Sequence, residues 1–176
     1  MILVRDDDIF LNAIWRHQVF LKYKIFVHIG IIGSRPFPAR WIKKHLYMYE
    51  ICNHSYCHKC DKLINLDLNK QKKDLEKANE IIKKKIGINP RYFIPPCGRY
   101  NNRLIEACES VGLSLHPSYV IREKNENLYH SADSTDVVDK KEGWYICHTS
   151  KGIPSNRKLE KNLKYLYENN LTKFWK

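Results

Sequence analysis

The sequence predicts an α/β fold in which helices cover a mostly parallel sheet or an incomplete barrel. Three observations lead there. Seven short apolar or β-branched runs are separated by helices or loops. The segment Leu68–Ile86 has an unmistakable helical period. Finally, the unusual polar residues fall just after predicted strands, where α/β folds gather their functional groups.

Taken in order, Ile2–Arg5 is a short apolar strand that runs into Asp6-Asp7-Asp8. Asn12–Lys22 reads as a helix, and Ile25–Ile32 as a buried strand. Pro38–Leu46 is a short helix followed by a strand at Tyr47–Cys52. In Leu68–Ile86, Leu75, Ala78, Ile82 and Ile86 fall on one face, lysines fill the other, and Gly87 stops the helix. Tyr92–Pro95 is a strand cut short by Pro95-Pro96, and Arg103–Val111 is a helix closed by Gly112. Leu113–His116, Tyr129–Ser131 and Trp144–Cys147 complete the strands. Asn156–Glu168 closes the chain as an amphipathic helix with Leu159, Leu163 and Leu166 aligned.

The 176 residues suit one domain, taken as 1–176, and 43% hydrophobic with 28% charged residues argues against wholesale disorder. No apolar run approaches the ~18 residues of a membrane span. The opening lacks a charged segment followed by an apolar one, so a cytoplasmic location is expected. In that setting the six cysteines are expected as reduced thiols or metal ligands rather than disulfides. A net charge of +12 would suit an anionic partner, but a Lys-, Asn- and Ile-rich composition accounts for it equally well.

Four clusters carry chemistry. Three adjacent carboxylates at Asp6, Asp7 and Asp8 repel one another unless a cation or a catalytic task stabilises them. A helix cap explains only one of them, Asp8. His54 and His58, four apart, would lie on one face of a helical turn and share a metal. Pro95-Pro96-Cys97-Gly98 makes a rigid turn able to aim backbone N–H groups at an oxyanion. Ile146-Cys147-His148 puts a histidine at the end of a late strand.

In order and spacing these clusters resemble the polysaccharide deacetylase family, the NodB-homology or carbohydrate esterase family 4 enzymes. Asp7-Asp8 is similar to the first family motif, and Asn53-His54-Ser55-Tyr56-Cys57-His58 to the His-Ser/Thr-x-x-x-His second motif. Phe93 to Asn101 resembles the proline-rich third motif, Asp133 to Asp136 the fourth, and Ile146-Cys147-His148 the fifth. The resemblance spans residues 1 to about 150 and implies a distorted, incomplete (β/α) barrel of about seven strands. It also implies a divalent metal, commonly zinc, held by Asp8, His54 and His58. Asp7 would be the general base and His148 the general acid oriented by Asp133. Cys97 would offer an oxyanion N–H, with Pro96 and Tyr100 beside the substrate. The implied activity is removal of an N-acetyl group from a sugar or glycan precursor.

The pattern is departed from at three positions. Ile94 stands where the family has an arginine that orients the catalytic aspartate, Ile9 where it has a glycine, and Val137 where it has an aromatic. Arg5 and Arg99 are the candidates to replace the arginine, and Trp144 or Tyr100 to supply stacking. Two other readings compete. Cys57-x-x-Cys60 with Cys52, His54 and His58 would suit a zinc-stabilised module binding nucleic acid, although it leaves Asp6 to Asp8 unexplained. The other is a deacetylase fold that binds sugar or metal without turnover. Cys108 reads as a core residue, and His17, His28, His45, His116 and His130 receive no role.

Overall fold

A computed structural model describes residues 1–124, 129–131, 142–148 and 156–173. Among them, seven strands form one sheet: β1 Ile2–Asp7, β2 Val27–Ile31, β3 Tyr49–Asn53, β4 Tyr92–Phe93, β5 Ser114–Leu115, β6 Tyr129–Ser131 and β7 Gly143–His148. The order is β5-β4-β3-β2-β1-β7-β6, and every pairing is parallel. The helices are α1 Ile14–Lys22, α2 Ala39–Lys44, α3 Cys60–Asn65, α4 Leu68–Ile86, α5 Asn102–Ser110, α6 Pro117–Lys124 and α7 Asn156–Glu168.

The sheet curls into an open half-barrel. His28 of β2 touches the rings of both His116, just past edge strand β5, and Trp144 of β7. Strands that far apart in a flat sheet could not share one ring, because neighbours lie ~4.8 Å apart. The expected strand–helix alternation is therefore present, in the incomplete barrel the resemblance implied.

Helix α4 spans the predicted residues and shows why such a sequence is helical. Asp67 caps its N-terminus by accepting from the Lys70 amide, and Gly87 ends it at φ 93°. Leu75, Ala78, Ile82 and Ile86 are buried, as their spacing requires. Ala78 packs so close to the end of β2 that a Cβ on Gly33 would sit 2.9 Å from the Ala78 backbone. Two helices lie where no clear apolar period marked them, α3 and α6. The outer core joins β1, β2 and β3 with α1, α4 and α7 through Val4, Ile29, Ile51, Phe20, Ile82 and Leu163. No helix among the described residues is long and apolar enough to cross a membrane.

Candidate active site

The three consecutive aspartates are separated by strand geometry. Side chains alternate across a β-strand. Asp6 faces α1, where Arg16 Nη1 lies 3.3 Å and His17 Nε2 3.2 Å from its two oxygens. His17 Nδ1 in turn meets the Tyr49 hydroxyl at 2.7 Å. Asp7 faces into the barrel, 2.8 Å from Arg5 Nη2. Asp8 follows the strand with φ 60°, which turns its side chain away from both neighbours. It does not cap a helix: the next helical turn starts from Phe10 with no side-chain cap.

Asp8 Oδ1 lies 2.8 Å from His58 Nε2 and 3.3 Å from His54 Nε2, and the two Nε2 atoms are 3.1 Å apart. The Nδ1–H of His54 donates to the Ile94 carbonyl at 2.6 Å, which leaves Nε2 as a lone pair pointing at Asp8. Two imidazoles and a carboxylate closing on one point are the donor set of an open tetrahedral metal site. A shared cation also relieves the contact between two facing ring nitrogens, so these residues fit a divalent ion. A Cβ on Gly30 would meet the His54 ring at 3.3 Å, so the bare backbone there makes room for it.

The expected helical turn across His54 and His58 is not what brings them together. The segment is a loop in which Ser55 and His58 both have positive φ, 63° and 49°. Local hydrogen bonds hold it there. Asn53 Oδ1 accepts from the Ser55 amide at 2.7 Å, and Ser55 Oγ accepts from the His58 amide at 2.8 Å. Helix α4 supplies the rest: Asp74 accepts from the amides of Tyr56 and Cys57, while Asn53 Nδ2 donates to the Leu75 carbonyl and to Asn79. Of the non-glycine residues with positive φ, Asp8, Ser55, His58 and Cys97 all belong to the candidate site. Such conformations are costly and gather where surrounding structure enforces them.

The Pro95-Pro96-Cys97-Gly98 turn follows β4, with Cys97 exposed and Pro96 buried. Cys97 forms a disulfide with Cys60 at the start of α3, with Cα atoms 5.7 Å apart. The expectation of reduced thiols is thus corrected for this pair, while Cys52, Cys57, Cys108 and Cys147 form no disulfide. The physical reason is proximity that sequence spacing hides, since β3 and β4 are neighbours and their following loops meet. With Cys60 in a disulfide, Cys57 and Cys60 cannot chelate one zinc. Arg99, one candidate to replace the missing arginine, instead pairs with exposed Asp61.

Arg5, the other candidate, does meet Asp7. It is fully buried, and besides Asp7 it donates to Ser118 Oγ and, at 3.2 Å, to the Tyr119 hydroxyl. The Tyr119 ring lies 4.8 Å from the guanidinium carbon. Ile94 packs beside Tyr119 and Cys52, an apolar wall where the family pattern has its arginine. Trp144 is buried against His28 and His116, so the expectation that it stacks on a sugar is not met. Tyr100 is half-buried, its ring 5.7 Å from that of Tyr119. His148 ends β7 in register with Asp7 on β1. Asp133, with the rest of the fourth cluster, lies outside the described residues. Sequence reasoning assigned nothing to Ser118, Tyr119, His17, His28 or His116, because no local spacing marks residues that meet only across a barrel.

Solved structures share this fold. A family 4 carbohydrate esterase from Streptomyces lividans, in complex with acetate, superposes with TM-score 0.70 at 17% identity, covering 97% of this chain and 90% of that one. The peptidoglycan deacetylase PdaC from Bacillus subtilis gives 0.69 at 19% identity, covering 96% and 84%. A CE4 family pseudoenzyme from Bacillus anthracis gives 0.68 at 18% identity, covering 98% of this chain and 62% of that one. In sequence, 105 residues are 36% identical to an uncharacterized Bacillus subtilis (strain 168) protein, YlxY, covering 54% of this chain. The chain spans only 32% of the length of that relative. The polysaccharide deacetylase profile matches residues 22–116, more than half of the sequence and including both histidines and the proline turn, and the chain belongs to the polysaccharide deacetylase family.

Proposed function

We propose that this protein is a metal-dependent hydrolase that removes an N-acetyl group from a sugar or glycan precursor. The observation that carries the reading is the convergence of Asp8, His54 and His58 on one point. The residue before Asp8, Asp7 at the end of β1, is held at 2.8 Å by Arg5. A divalent ion in this donor set, zinc by preference, supplies Lewis acidity for the acyl carbonyl and for water.

The chain's own residues do the rest. Asp7 accepts the proton of the attacking water, its carboxylate held in one orientation by Arg5. The Cys97 amide, on a turn made rigid by Pro95, Pro96 and the Cys60 disulfide, donates to the developing oxyanion. One such donor is typically worth ~3–4 kcal/mol. His148 protonates the leaving amine, with Asp133 as its orienting partner. Tyr100, half-buried beside the turn, offers the sugar an apolar edge, with buried Pro96 beneath the turn.

A second reading, a deacetylase fold that binds without turnover, is favoured by Ile94 in the place of the family arginine. Acetate release from N-acetylglucosamine oligomers, with metal-loaded protein, separates the two. Turnover that disappears in Asp7→Asn, while metal content stays, supports the hydrolase. Metal binding with no acetate from any N-acetylated sugar tested would leave the binding protein.

A further inference from the structure

A second set of ligating side chains lies inside the half-barrel, apart from Asp8, His54 and His58. His28 of β2, Cys52 of β3 and His116 after β5 bring two imidazole nitrogens and a thiol within 4.8 Å of one another. His28 Nδ1 and His116 Nε2 face each other at 3.1 Å. Strand register puts His28 level with Arg5, and Cys52 level with Gly30, two residues further along β2. The trio thus occupies the barrel interior beside the Arg5 brace.

From this geometry we infer a second metal site, formed by His28, Cys52 and His116, that takes a thiophilic divalent cation of the zinc class. The donor set selects the ion. A thiol with two imidazoles suits zinc or cobalt and is unsuited to magnesium or calcium, which take oxygen ligands.

The outer contacts agree with this assignment. Nδ1 of His116 meets Ser118 Oγ at 2.9 Å, and with Nε2 turned to a metal its N–H would donate to that hydroxyl. Metal-bound histidines usually carry such a partner on the other nitrogen. Ser118 Oγ also accepts from Arg5, so the second site and the Asp7 brace share one hydroxyl. Cys52 is the deciding ligand. A cation deprotonates a coordinating thiol, and the resulting thiolate offsets charge that two imidazoles near Arg5 could not hold alone.

Trp144 and Tyr92 wall the trio in, their rings 5.0 and 6.4 Å from that of His28. Of the three ligands only His28 is partly exposed, so it marks the way in. An enclosed site of this kind stabilises the barrel rather than meeting substrate.

The test does not depend on the hydrolase reading, because the Asp8 site contains no sulfur. Cobalt titrated into chelator-stripped wild-type protein should produce a thiolate-to-cobalt absorption band. The band should persist in Asp8→Asn, which removes a ligand of the first site, and in Cys57→Ser, which removes the nearest other thiol in sequence. It should vanish in Cys52→Ser and in His28→Gln, each losing one bound equivalent by elemental analysis. Circular dichroism checks that these variants fold. Absence of the band from wild-type protein that still binds cobalt would overturn the site, as would its loss in Cys57→Ser. The trio would then be a hydrogen-bonded histidine pair beside a core thiol.

Discussion

Arg5 and Asp7 stand two residues apart on one strand, and inside the half-barrel the guanidinium holds the carboxylate at 2.8 Å. Alternation sends both side chains to the same face, and the curl of the sheet brings Ser118 and Tyr119 around to hold Arg5 in turn. An arginine in the first strand thereby stands against Asp7, while the position where the family pattern has its arginine holds Ile94. Arg5→Ala should cut the turnover number about 100-fold with little change in KM, because Asp7 loses its orientation rather than its chemistry. It should also cost about 3–5 kcal/mol of stability, since a buried carboxylate loses its counter-charge. Adding Ile94→Arg to Arg5→Ala should restore part of the lost turnover. Steady-state kinetics of acetate release check both, and an Arg5→Ala enzyme with wild-type turnover would refute the assignment.

Asp6 has a different task from its two neighbours. It sits on the outer face of β1, paired with buried Arg16 and His17. Asp6→Ala should therefore destabilise the fold by about 3–5 kcal/mol through the stranded Arg16 charge. The metal bound at Asp8 should be retained. Urea unfolding combined with elemental analysis tests this, and loss of metal in a folded Asp6→Ala protein would contradict it.

The loop carrying His54 and His58 is held by Asn53 and Asp74 rather than by helical geometry. Asn53→Ala or Asp74→Ala should weaken metal binding about 10–100-fold, the usual effect of removing an outer-shell support. Competition with a chelator of known affinity measures it. Unchanged affinity in both variants would show that the loop holds its shape without them.

The disulfide between Cys60 and Cys97 closes a long loop between two elements of the site. A sequence separation of 37 predicts a contribution of about 3–4 kcal/mol through restriction of the unfolded chain. Cys60→Ser/Cys97→Ser should lower the denaturant midpoint accordingly. It should also reduce turnover more than metal content, because Cys97 lies on the oxyanion turn and not among the ligands. Equal stability with and without reductant would count against the bond.

Much of this architecture was legible from local pattern. Periodicity marked α4 and α7 to the residue, because burial of one face imposes a repeat that composition displays. Helices α3 and α6 were missed: α3 is only six residues long, and α6 starts at a proline beside the strand-like Leu113–His116 run. The His-x3-His spacing pointed to two residues that the structure does bring together, but through a different backbone. Four residues also bridge a tight loop when Asn53, Ser55 and Asp74 force two of them to positive φ.

By itself, the sequence determined the strand–helix alternation, the placement of acids, histidines and a proline turn after strands, and the resemblance that names the family. These follow from period, from turn chemistry and from short spacings, all of which act over a few residues. Only the tertiary structure decided that Asp6, Asp7 and Asp8 have separate partners, that Arg5 rather than Arg99 pairs with Asp7, and that Cys60 joins Cys97. It alone brought His28, Cys52 and His116 together. Those contacts arise from the curl of a parallel sheet, which places residues as far apart in sequence as Arg5 and Ser118 within hydrogen-bonding reach.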